Sequence, residues 1–212
     1  MASAYFSRSE PVVAMPVSRR VVVIDAGHGG FDPGAVSGKV EEKDINLAIA
    51  LKLQTFLEQG GATVIVTRIE DAAVAGTKSG DMAARQLIAN TAHADIFVSI
   101  HQNTYGNPNV HGAQVFYFNE SDNSLKLATH IQRHLREFVD PNNRFLPRAN
   151  KNYYVLKQTA MPAVLVECGF ISNRAERSRL TTEQYQEKIA WAIYLGIVDY
   201  FNAVEDAPGP NA

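Results

Sequence analysis

The sequence predicts an α/β protein, one three-layer α/β/α sandwich around a mostly parallel central sheet. Three observations carry that expectation. Short apolar runs alternate with longer stretches of helical periodicity. The runs do not alternate apolar with polar residues, so both faces of these strands must be covered, as in a parallel sheet flanked by helices. No internal repeat and no composition break divides the chain.

The elements follow in order. Val21–Ala26 is a continuous apolar run broken only by Asp25, and Gly27-His28-Gly29-Gly30 follows at once, a buried strand ending in a glycine-rich turn. Over 43–59 the positions Ile45, Ala48, Ile49, Leu53, Phe56 and Leu57 keep helical spacing, and Gly60-Gly61 ends the helix. Residues 62–67 read as a second buried strand and 71–80 as a polar loop. A helix through Met82, Leu87, Ile88 and Ala92 leads to a third strand at 95–101. Beyond a loop rich in Asn, Pro and Gly come a strand at 113–118, a helix at 125–138, a short strand at 153–156, a buried strand at 163–167 and a last helix at 182–201. Residues 1–18 and 204–212 read as loose ends around a folded unit at 19–203.

Composition excludes several classes. Apolar residues are 46% and charged residues 20% of 212, a globular balance. Lys and Arg number 20 against 22 Asp and Glu, so no basic stripe points to nucleic acid. One cysteine, Cys168, rules out an intrachain disulfide. The early run at 11–17 is too short and proline-broken to span a membrane.

Four groups stand where such a fold places its active site, at the carboxyl ends of strands. His28 follows the first strand, Glu42 (with Glu41 beside it) opens the first helix, His101 ends the third strand and Glu167 ends a later one. Two imidazoles and a carboxylate are the ligand set of a catalytic zinc site, and a further carboxylate can carry protons. Each group alone has an ordinary structural explanation; Glu42, for instance, could simply complement the helix dipole. Glu167 is harder to explain so, because it follows Ala163-Val164-Leu165-Val166 and burial of an unpaired carboxylate is costly. Its neighbour Cys168 should point to the opposite face, into the core. His93, His130 and His134 read as surface residues of helices, and His111 as a residue at a loop–strand junction that could line the cleft.

These residues sit in a longer pattern. Val23-Ile24-Asp25-Ala26-Gly27-His28-Gly29-Gly30 with Asp32-Pro33-Gly34-Ala35 resembles the opening motif of the zinc N-acetylmuramoyl-L-alanine amidases of the amidase-3 type. Glu42-Lys43-Asp44 resembles their second metal motif, and Ala89-Asn90 with Ala94 through Asn103 their third. Pro162 through Asn173, with Glu176, resembles the block carrying their catalytic glutamate. The resemblance runs in order from Val21 to Phe201. Tyr154-Val155-Leu156-Lys157 and the segment 184–201 resemble the amidases of spore-cortex processing.

The resemblance implies hydrolysis of the amide between N-acetylmuramic acid and the L-alanine of the peptidoglycan stem peptide. It implies one zinc ion held by His28, Glu42 rather than Glu41, and His101, with Glu167 as general acid and base. Asn103 and Arg85 match recurrent positions and are candidate substrate contacts, as is His111 from its location. Peptidoglycan is the implied partner, with room for an activating or recruiting protein. The implied location is extracytoplasmic, with an export segment absent from these residues. The long plug helix of some relatives is not expected, since the stretch between His101 and Glu167 is filled by ordinary elements. A zinc peptidase acting within the stem peptide and a non-catalytic wall-binding protein are the competing readings.

Overall fold

The computed structural model describes residues 15–205. Of the tail expected at 204–212, Val204 and Glu205 continue the last helix, while residues 206–212 and the first fourteen lie outside the described part. The elements are β1 (Val21–Ala26), β2 (Val36–Ser37), β3 (Val40–Glu41), α1 (Glu42–Gln59), β4 (Thr63–Val66), α2 (Lys78–Thr91), β5 (Ile96–Asn103), β6 (Gln114–Tyr117), α3 (Asp122–His134), β7 (Arg148–Ala149), α4 (Tyr154–Gln158), β8 (Ala163–Phe170), α5 (Arg174–Leu180) and α6 (Glu183–Glu205).

Six strands form one sheet in the order β4-β1-β5-β8-β6-β7. The pairs β4–β1, β1–β5 and β5–β8 are parallel, and β6 turns antiparallel to β8. The mostly parallel sheet is thus confirmed. Strand alternation splits the core into two layers. Val22, Ile24, Val98, Ile100, Val164, Val166 and Cys168 face one side and pack with Ile49 and Leu53 of α1, Ile131 of α3 and Ile193 of α6. Val23, Phe97, Phe116 and Leu165 face the other side with Ala89 of α2 and Val155 and Leu156 of α4.

The structure corrects several expectations. Tyr153-Tyr154-Val155-Leu156 is not a strand; α4 occupies it. The Asn150 Oδ1 accepts from the backbone N of Asn152 and Tyr153 and turns the chain over, and Val155 and Leu156 are buried against the sheet face rather than added to its edge. β4 is an edge strand, exposed or half-buried throughout, where a fully buried one was expected. The third helix ends at His134 and passes into a wider π-turn at Leu135–Val139. His134 is buried rather than a surface residue, bonded to Asp199 of α6 and stacked on Phe138. Val17, in the segment read as loose, is fully buried beside Gly60.

Candidate metal centre

The site lies at the carboxyl edge of β1, β5 and β8, on the α2–α4 side of the sheet. Residues 28–30 all take left-handed backbone angles, His28 among them at φ 61°. A β-carbon makes that conformation costly, by roughly 1–3 kcal/mol, so the turn must be held from outside. Arg85 of α2 donates to the carbonyls of Ala26 and His28, at 2.7 Å each. Arg68 donates to those of Ala26, Gly27 and Lys43, tying the turn to the start of α1.

That arrangement brings three groups together. His28 Nε2 lies 3.3 Å and His101 Nδ1 3.0 Å from Glu42 Oε1, and one donor atom from each residue lies within 4.8 Å of the others. A tetrahedral ion with bonds of about 2.0–2.1 Å requires neighbouring donors about 3.3–3.4 Å apart. Asp32 Oδ2 accepts from His28 Nδ1 at 2.9 Å, fixing the tautomer that leaves Nε2 with its lone pair toward the site. The carboxylate of Glu42 is equally constrained: its Oε2 accepts from Ala35 N, and its Oε1 from Gln102 N and from Asn46 Nδ2 one helical turn on. Two glycines make room. A β-carbon at Gly27 would lie 2.3 Å from the His101 ring, and one at Gly34 would lie 2.6 Å from Glu42 Oε2. The cradle and donor set therefore fit a metal ion.

The electrostatics separate the two carboxylates. Burial raises the Glu42 carboxyl, but the hydrogen bonds and charges of His101 and His28 overcome this and hold it far below the usual range. Burial lowers the His28 imidazole, yet Glu42 and Asp32 hold it above its ordinary value. Glu167 is 8% exposed, and no described residue donates to its buried Oε2. Burial pushes it up to about 7, with His101 and His28 opposing and Glu42 assisting. A pocket of about 290 Å³ joins these groups, with Met82, Tyr153 and Leu165 among its walls.

Glu167 and Cys168 face opposite sides of β8. The thiol is fully buried in the core, where burial pushes it up strongly. Arg85 is 3% exposed, and its donors go to Asp25, Asp81 and two carbonyls; the structure spends it on the turn beneath the site. Asn103 lines a neighbouring groove instead of the metal pocket. His111 is exposed and bonded locally to the carbonyl of Asn109, away from the pocket. Sequence reasoning missed Asp32 and Arg68. The signal for Asp32 was a carboxylate four residues after His28; Arg68 had none, because its partners are main-chain carbonyls from two distant segments.

Comparisons with known proteins identify the family. The N-acetylmuramoyl-L-alanine amidase family matches residues 22–199. A germination-specific N-acetylmuramoyl-L-alanine amidase of Bacillus subtilis is 36% identical over 203 residues, covering 92% of this chain and 85% of that protein. The CwlD amidase of Clostridioides difficile, solved in complex with the GerS lipoprotein, superposes with a TM-score of 0.84 at 40% identity, covering 87% of this chain and all of that one. An N-acetylmuramoyl-L-alanine amidase of Clostridium difficile 630 gives 0.79 at 34%, covering 88% and 98%. The chain belongs to the N-acetylmuramoyl-L-alanine amidase family of cell-wall hydrolases, in its amidase-3 branch.

Proposed function

We propose that the chain is a zinc-dependent hydrolase of the amide joining N-acetylmuramic acid to the L-alanine of the stem peptide. The observation that carries this is the convergence of His28, His101 and Glu42 beside an unpartnered, buried Glu167. His28, Glu42 and His101 hold the ion. When bound there, zinc supplies Lewis-acid polarisation and lowers the pKa of a water from 15.7 to roughly 7.

The rest of the chemistry belongs to this chain's own residues. Asp32 keeps His28 in one tautomer, and Asn46 and Gln102 N keep Glu42 in one orientation. Glu167, poised near neutrality, accepts a proton from the attacking water at the carbonyl carbon and delivers it to the departing amine of L-alanine. Such transfer contributes about 10²–10⁴-fold. Leu165, Tyr153 and Met82 wall the pocket.

The similarity to a germination-specific amidase supports a role on spore-cortex peptidoglycan, outside the cytoplasm. A protein partner fits the same reading, since the similar Clostridioides difficile amidase is described in complex with a lipoprotein. None of the described helices is long and apolar enough to cross a membrane. The test is digestion of purified peptidoglycan followed by mass spectrometry of the new ends. Free muramic acid carboxyls paired with amino-terminal L-alanine support the amidase. New amines within the peptide would indicate a peptidase, and no new ends a binding protein.

A further inference from the structure

Beside the metal pocket lies a wider groove of about 750 Å³. Tyr153 lines both, so the two chambers adjoin at this residue. The floor of the groove is the next strand over. Gln114 of β6 stands in register with Glu167 of β8, and Phe116 with Leu165. Its far wall is β7 and the turn after it, where Arg148 is in register with Phe116. The lining carries two cations, Arg148 and Lys151, and no Asp or Glu, in a chain whose formal charge is -2. Both cations are exposed, and among the described residues neither has a hydrogen-bond or ion-pair partner. The charge of Arg148 is felt at the Tyr153 phenol, as is that of Glu167, which ties the groove to the reacting end.

Two unpaired cations in a groove free of carboxylates select an anionic ligand. We infer that the groove is the subsite for the acidic peptide arm of the substrate, with Arg148 and Lys151 binding its free carboxylates. The inference rests on the amidase reading for what is held at Glu167. Geometry sets the reach. Adjacent strands lie about 4.8 Å apart, so β7 is about 10 Å from β8, and an extended peptide at about 3.3 Å per residue covers that in three residues. In the stem peptide the second residue is a γ-linked glutamate with a free α-carboxylate, and further carboxylates follow. The glycan strand beside it has no charge to offer these cations. The Tyr153 ring, edge-on to Phe116 at 5.5 Å, stands where the chain must pass from one chamber to the other.

The probe is L-alanyl-γ-D-glutamyl-L-lysine, titrated calorimetrically into the zinc-loaded protein, against the same peptide with both carboxylates amidated. One or two charge-assisted hydrogen bonds predict that the acid binds roughly 10-fold or more tighter than the amide. In R148Q/K151Q that preference should vanish, and in the unmodified protein it should shrink with added salt. Both side chains are exposed, so the variant should melt at an unchanged temperature, which confirms that any loss is local. Equal binding of acid and amide by the unmodified protein, or a preference that survives in the variant, overturns the inference. Turnover of the matching muropeptide is read on the same samples. Peptide preference without cleavage at the muramyl amide would remove the amidase reading and leave the anionic subsite standing; cleavage without preference would do the reverse.

Discussion

Substituting alanine for Gly27 should empty the site of metal while leaving the fold intact. Gly27 lies outside the left-handed region, so its backbone accepts a side chain. The obstacle is purely one of space: the new β-carbon would sit 2.3 Å from His101 Cε1 and 2.4 Å from Nε2. To go from 2.3 Å to ordinary contact at 3.4 Å, the ring must retreat by about 1.1 Å. Metal–ligand distances tolerate only about 0.2 Å, so that retreat removes His101 from coordination. Zinc affinity should fall on the order of 100-fold or more, beyond the 10–100-fold typical when only a supporting group is lost. The ring is 19% exposed and borders a pocket of about 290 Å³, so it has somewhere to go. Unfolding of the metal-free protein in urea should therefore shift by less than about 1 kcal/mol. Competition with a chromophoric chelator measures the affinity. An unchanged zinc affinity in Gly27→Ala would refute the placement of His101 against this glycine.

Other outcomes follow from the same geometry. Arg85→Met strands the Asp25 carboxylate, 1% exposed, with only the Ser99 and Thr67 hydroxyls, and should cost about 3–5 kcal/mol in urea unfolding. Burial raises Asp25 but Arg85 and Ser99 bring it below its ordinary value. Its contribution is thus present above about pH 4 and lost below, and the deficit of the variant should shrink on acidification; a deficit under about 1 kcal/mol at pH 7 would contradict the buried pair. The rate profile of kcat/KM should show a one-proton acid limb below pH 7, since Glu167 must be ionised to accept a proton and a bound dication lowers it from about 7. A flat profile down to pH 4 would take Glu167 out of that role. Cys168 should resist a thiol-specific disulfide reagent in the native protein and react after unfolding, and rapid native reaction would contradict its place in the core.

Much of this was legible because the signals were local. Buried runs such as Val21–Ala26 and the opening of β8 announce themselves by unbroken apolar character, and His28 sits where β1 leaves the sheet; Glu167, expected at the end of its strand, sits inside β8, which pairing with β5 carries on to Phe170. The parity of a strand was enough to send Cys168 and Glu167 to opposite sides. Signals failed where a long-range partner decides the outcome. Of the β-favouring residues Tyr153 through Leu156, the last three became helical because Asn150 turns the chain and the sheet face needed covering. His134 is buried only because Asp199, sixty-five residues on, lies across from it in α6. Arg85 was a candidate substrate contact by resemblance alone, and only the packing of α2 shows it lying under the His28 turn. The groove lined by Arg148 and Lys151 exists because β6 runs antiparallel and carries β7 with it, which no local pattern specifies.

The most direct measurement concerns Glu167→Gln, followed by zinc content and by release of amino-terminal L-alanine from peptidoglycan on the same sample. The amide keeps the shape and volume of the carboxylate, lies outside the His28–Glu42–His101 cluster, and cannot transfer the proton. Zinc should remain at one per chain, and turnover should drop by roughly 10²–10⁴-fold. Loss of zinc would make Glu167 a ligand, and near-full activity with zinc retained would route the proton through some other group; either result contradicts a three-ligand metal centre served by a separate carboxylate.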